Sequence, residues 1–190
     1  MNWRAALVLL LALAISVAAA RSRADELPEL GPAPDFSLLS QDGKPVTLIS
    51  LRGKVVAVTF IYTYCSNICP LLTHELVEVQ DALGADFGRN VAFVAITLDP
   101  EQDTPEMLKL YAQAHGANLA GWNFLTGPVG SVREVARRYG VVAMKNNNGA
   151  IDHNLVTSIV DASGVLRVQY AGMRFDPDEF RRDLLRLVNP

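Results

Sequence analysis

Val55-Val56-Ala57-Val58-Thr59-Phe60-Ile61-Tyr62-Thr63-Tyr64-Cys65-Ser66-Asn67-Ile68-Cys69-Pro70 is the stretch from which the rest of the chain is read. Residues 55–62 are β-branched, aromatic and apolar throughout, the pattern of a strand buried on both faces. Pro70 suits the first position of a helix. Leu72, Leu76, Val79 and Leu83 then recur on one helical face. Cys65 and Cys69 are the only cysteines in 190 residues, and they fall where a central strand hands over to a helix N-terminus. The partial positive charge at such a terminus favours thiolate over thiol. A dithiol placed there suits redox chemistry, a soft metal ion, or both.

Half of the residues are apolar and 19% are charged, so the chain can bury a sizeable core and is not disordered. The formal net charge is −3, and Arg4, Arg21 and Arg23 lie in the first 24 residues with no acid beside them. The remainder is therefore more acidic still, has no basic stripe, and argues against nucleic acid as a partner. Residues 5–20 form an apolar run behind Arg4 that ends in small residues, as a secretory signal does. As a helix it would span about 24 Å, short of the ~30 Å hydrocarbon core. Arg21 and Arg23 disfavour export of that end, so both a cleaved signal peptide and a retained membrane anchor are open for residues 1–24. Either one places the domain outside the cytoplasm, in the bacterial periplasm or tethered to the inner membrane, where disulfides persist.

Residues 25–34, with Pro28, Gly31, Pro32 and Pro34, read as a linker, and 35–190 as one domain. Two short strands flank the Asp42-Gly43 turn. The cysteine strand and its helix follow, then a second apolar strand over 91–98. Asp99-Pro100-Glu101-Gln102-Asp103 is a polar loop, and Thr104-Pro105-Glu106 opens a helix to about His115. A short strand at 122–124, a helix over 129–139, an Asn-rich loop at 146–149, a hairpin over 155–170 and a helix capped by Asp176 complete the chain. No internal repeat is present. Parallel strands under right-handed crossovers, closed by a hairpin and a helix, make an α/β thioredoxin-like fold. It carries extra N-terminal strands and an insertion before the C-terminal β-hairpin.

Three pieces, Tyr64-Cys65-Ser66-Asn67-Ile68-Cys69-Pro70, the run from Leu98 through Asp99 and Asp103 to Pro105, and Asp152-His153 ahead of a strand ending Val160-Asp161-Ala162-Ser163-Gly164, together resemble the Sco/SenC family. Its members are thioredoxin-fold copper proteins that help assemble the CuA centre of cytochrome c oxidase. The resemblance covers nearly all of residues 32–190. It implies Cys65, Cys69 and His153 as copper ligands and Asp99 and Asp103 as the family's acidic loop, a partner-binding or metal-release element. It also implies Cu(I) or Cu(II) as the metal and the CuA subunit or another copper protein as the partner. Ser66 and Asn67 depart from members with proline and acid between the cysteines.

The residues themselves support that reading. Cysteines at i and i+4 lie on one face of a helix, with Cα atoms about 6 Å apart. That spacing suits a two-sulfur bite on one ion and also falls within disulfide range. Thiolates select Cu(I) or Zn, and imidazole accepts either copper oxidation state. A structural zinc site asks for four protein ligands, and no fourth is evident. A purely structural disulfide would gain little, since so short a loop removes little unfolded-state entropy. A thiol–disulfide reductase using Cys65 and Cys69 stays open as the alternative, an enzyme in place of a chaperone. Against it, reductases of this fold resemble one another in a C-x-x-C motif and in a cis-proline where this chain has His153. A peroxidase is set aside, because Val58 and Tyr62 stand where peroxiredoxins resemble one another in proline and Ser/Thr. His74 is expected to face solvent, His115 to compensate a helix end, and Met107, Met144 and Met173 to fill core.

Overall fold

The computed structural model describes residues 26–172 and 176–189. The expected targeting segment, residues 1–24, and Met173 lie outside them. Among the described residues, ten strands and four α-helices follow in chain order. They are β1 (Gly31–Pro32), β2 (Ser37–Ser40), β3 (Pro45–Thr47), β4 (Val55–Ile61), α1 (Ile68–Leu83), β5 (Val91–Thr97) and α2 (Pro105–Ala114). Then come β6 (Trp122–Thr126), α3 (Val129–Arg138), β7 (Ala143–Lys145), β8 (Ile151–His153), β9 (Val156–Val160), β10 (Val165–Ala171) and α4 (Pro177–Val188).

Eight strands form one sheet in the order β1-β10-β9-β4-β5-β6-β2-β3. β4, β5 and β6 run parallel, with Val55 opposite Val91 and Ile61 opposite Thr97. β9 lies antiparallel on the other side of β4. This β5-β4-β9-β10 core, with α1 crossing from β4 to β5 and α4 following the hairpin, is the thioredoxin-like arrangement expected from the sequence. β2 and β3 extend the sheet beyond β6, and the insertion before the hairpin holds β6, α3, β7 and β8.

Every residue of β4 and β5 is buried, as their unbroken apolar runs require. Alternate side chains serve two cores. Val55, Ala57 and Ile61 pack with Leu72, Leu76, Val79 and Leu83 of α1, Leu108 of α2, and Phe180 and Leu184 of α4. Val56, Val58 and Phe60 pack on the opposite face with Val132, Val135 and Ala136 of α3. Each fully buried leucine or valine of α1 contributes roughly 1.5–3 kcal/mol, so the helix that follows the cysteines is firmly seated.

Two local expectations change. Gly31–Pro32, inside the stretch read as a linker, is a short edge strand on β10. The nearly buried Arg167 holds it there, donating to the carbonyls of Leu27 and Pro28. The Asn-rich loop is the tip of a separate two-stranded sheet, β7 with β8. Both were hidden because their pairing partners, not their local composition, make them strands.

Candidate metal centre

α1 opens at Ile68, two residues before the expected Pro70. The proline sits in the first turn, where a missing N–H costs nothing. Asn67 at the N-cap offers no side-chain hydrogen bond. The Cys69 N–H donates instead to Cys65 Sγ at 3.3 Å, so the thiol satisfies one of the orphan donors of the helix start. Cys65 itself precedes the helix, in a turn closed by its N–H on the Tyr62 carbonyl at 3.2 Å. Both cysteines are free thiols.

Their environments differ. Cys65 is partly exposed and Cys69 fully buried. Burial pushes the Cys65 thiol up, but N–H groups of Cys69, Asn67 and Ile68 directed at its sulfur outweigh that and hold its pKa below the usual thiol range. Burial pushes the Cys69 thiol far up, and the adjacent Cys65 sulfur and the Asp103 charge add to the shift. Of the two, Cys65 is the ready thiolate.

His153 ends β8 and faces the cysteine turn across a cavity of about 220 Å³, lined by Tyr62, Cys65, Ser66, Asn67 and Ile68 on one side and Ile151, Asp152, His153 and Leu155 on the other. Tyr62 meets the imidazole edge-on, ring centroids 6.2 Å apart. Its hydroxyl also lies against the Cys65 sulfur and the Ile151 backbone. His153 Nδ1 stands 3.0 Å from the Asn154 carbonyl oxygen. A carbonyl can only accept, so Nδ1 carries the proton and Nε2 keeps its lone pair, the tautomer a metal-ligating histidine needs. Burial lowers its pKa, which keeps the ring neutral. Even so, among the described residues no three His, Cys, Asp or Glu side chains stand close enough together to hold a metal ion.

The acidic loop lies on the same sheet edge, as parallel strands dictate. Its two aspartates do different things. Asp103 is fully buried and accepts from the Thr63 N–H at 3.1 Å and from the hydroxyls of Thr63 and Thr97. It ties the loop after β5 to the turn that carries Cys65. It does not cap α2. Thr104 does, its hydroxyl accepting from the Met107 N–H. Asp99 is 6% exposed and pairs with Lys145 of β7 at 3.1 Å.

The other expectations sort simply. His74 is exposed and pairs with Glu78 at 3.5 Å. His115 is the C-cap of α2 and packs tilted against Tyr111, ring centroids 4.3 Å apart. Burial lowers its pKa, which works against the compensating charge expected of it. Met107 is half-buried, whereas Met144 is exposed on β7 and fills no core. Tyr62, Thr63, Thr97 and Lys145 were missed as site residues. No local signal marks them: Tyr62, Thr63 and Lys145 meet His153, Asp103 and Asp99 from far along the chain, and Thr97 meets Asp103 only through the fold of the loop after β5.

Residues 25–189 match the SCO1/SenC family. The chain belongs to that family. A SCO1 protein homolog of Bacillus subtilis is 32% identical over 145 residues, 75% of each chain. Among solved structures, ScoI of Bradyrhizobium japonicum with copper bound superposes with a TM-score of 0.71 at 31% identity, covering 82% of this chain and 99% of that one. BsSco, a member of the Sco family of cytochrome c oxidase assembly proteins in which a disulfide switch is identified, has a TM-score of 0.76 at 27% identity, covering 87% and 99%. As a SCO1/SenC protein, the chain carries Cys65 and His153 on two separately built walls of one cavity, with Cys69 buried beside Cys65.

Proposed function

We propose that this protein binds copper through Cys65, Cys69 and His153 and delivers it to the CuA site of cytochrome c oxidase during assembly. The observation that carries the reading is the facing pair of walls. Two adjacent sulfurs sit at the α1 start, and across the cavity stands a neutral imidazole whose Nδ1–H is already engaged. Two thiolates and one imidazole suit Cu(I) and tolerate Cu(II), and three protein donors leave a face open for transfer. Copper bound to the Bradyrhizobium relative and the oxidase-assembly role of the BsSco family support the choice of metal and acceptor. Residues 1–24 serve as a signal peptide or anchor, 25–34 lead into the domain, and 35–190 work outside the cytoplasm. Among the described residues no helix is long and apolar enough to cross a membrane.

The deciding experiment is metal analysis of the purified protein with and without reductant. One equivalent of copper on the reduced protein, none after Cys65 and Cys69 are oxidised to a disulfide, and recovery on reduction is the expected result. Stoichiometric copper on the oxidised protein would move the site elsewhere. A second reading rests on the asymmetry of the thiols, one accessible and activated, one buried. In it Cys65 attacks a disulfide in the CuA subunit, Cys69 resolves the mixed disulfide, and this dithiol ends oxidised as the target ends as two thiols. Turnover of an oxidised CuA domain without copper would favour it.

A further inference from the structure

The small hairpin of β7 and β8 carries His153, and its pairing sets Lys145 opposite Ile151 and Ala143 opposite His153. β7 is exposed along its whole length, and a two-stranded hairpin is marginal by itself. Three cavities open around it. One of about 220 Å³ separates β8 from the cysteine turn. Another of about 360 Å³ lies between the hairpin and α3, and a third of about 460 Å³ between its tip and Tyr64. Asp99 and Lys145 line both of the latter two.

Few contacts hold so undercut an element. Ile151 reaches the core. The Asn154 side chain closes the base, accepting from the Val142 N–H at 2.7 Å and donating to the Gly140 carbonyl at 2.9 Å. On the outer strand, Lys145 Nζ donates to both carboxylate oxygens of Asp99 at 3.1 and 3.2 Å and lies 3.8 Å from Glu101. Asp99 is fixed from its other side, its carbonyl accepting from the N–H groups of Gln102 and Asp103. Removing the lysine from a carboxylate this buried leaves a charge uncompensated, which costs more than breaking an exposed pair.

We propose that Lys145 is a positioning residue, which latches the His153 hairpin to the acidic loop through Asp99 and so sets how readily His153 reaches the dithiol. This inference rests on the three-ligand reading above. It gives Asp99 a role distinct from that of Asp103: one holds the histidine wall, the other the cysteine wall. Parting Lys145 from Asp99 frees the hairpin to swing, and a partner presenting its own charge to that pair would release His153 first.

The test uses Lys145→Met, which keeps most of the aliphatic stem, and Lys145→Arg, which keeps the charge. In metal-free reduced protein, Lys145→Met should speed hydrogen exchange of the amides of residues 143–153 up to about fivefold, as expected for loss of one partly exposed ion pair. Exchange in β4 and β5 should not change, and Lys145→Arg should restore the hairpin rate. Copper affinity measured by competition with a chelator should fall in Lys145→Met, but not when His153→Ala is already present, because the latch acts only through His153. Unchanged hairpin exchange overturns the latch whatever copper does. Equal losses of affinity with and without His153 overturn the positioning role. Failure of the three-ligand reading would show separately, as a His153→Ala variant that binds copper like the parent.

Discussion

Cys69 is wholly buried at the start of a sixteen-residue helix that packs on two fully buried strands. His153 ends a three-residue strand whose strand partner, β7, is exposed throughout. The turn bearing Cys65 is further bound to the neighbouring loop by the fully buried Asp103 and the two threonines that donate to it. The histidine wall has one ion-paired lysine in the corresponding place. Two donors are thus held nearly fixed and the third is held lightly. For a protein that must keep a metal and also give it up, the lightly held ligand is the one whose movement opens the site, and local opening is cheapest where buried contacts are fewest.

The comparison can be broken first at Asp103. Asp103→Ala leaves three donors around a buried hole and should cost about 3 kcal/mol of unfolding free energy, with loss of copper binding following loss of structure. Denaturant titration measures it, and a cost like that of a surface substitution would mean the cysteine wall is no stiffer than the hairpin. Asp103→Asn should also be costly, because Asn has one accepting oxygen where Asp103 accepts at two, whereas Asp99→Asn should leave stability within about 1 kcal/mol.

His153→Ala sharpens the contrast from the other side. The melting temperature and the count of two free thiols should stay at parental values. Copper affinity should drop by roughly two orders of magnitude or more, beyond the ten- to hundredfold typical of losing a supporting partner. A large drop in melting temperature would show that the hairpin is part of the frame.

A smaller effect lies between the two cysteines. Alkylation of the reduced, metal-free protein should modify Cys65 first. Since its pKa is lowered, the rate should hold as pH falls below the usual thiol value of about 8.5 and decline only at lower pH. Cys69, with its pKa raised, should stay unmodified across that range. Modification of both at one rate would remove the asymmetry on which the reductase reading rests.

The smallest expected effect is in stability against pH. Burial lowers the pKa of His153 and of His115, so the unfolded chain binds those protons more readily than the fold does. Their contribution is complete above the ordinary imidazole value of about 6.5 and is lost as pH falls from there through their lower values in the fold. The melting temperature should decline modestly on acidification across that window, and less steeply in His153→Ala. An identical pH dependence in the variant would assign the decline to other groups.

Much of this was legible from local pattern. Continuous apolar runs foretold β4 and β5, since a parallel strand buried on both faces has no room for polar residues. The i, i+4, i+7 spacing of Leu72, Leu76 and Val79 foretold which face of α1 is buried. The cysteines' place at the strand–helix junction followed from those two signals, because both are local. Tertiary structure alone decided what approaches that junction from elsewhere. The pairing of β7 with β8 has weak local signals, three residues a side around an Asn-rich tip. The bond of Asp103 to Thr63 spans forty residues and that of Lys145 to Asp99 forty-six. Backbone periodicity fixes where a side chain points within its own element. It carries nothing about which distant element that side chain will meet, and the division into a held dithiol and a latched histidine is made of such meetings.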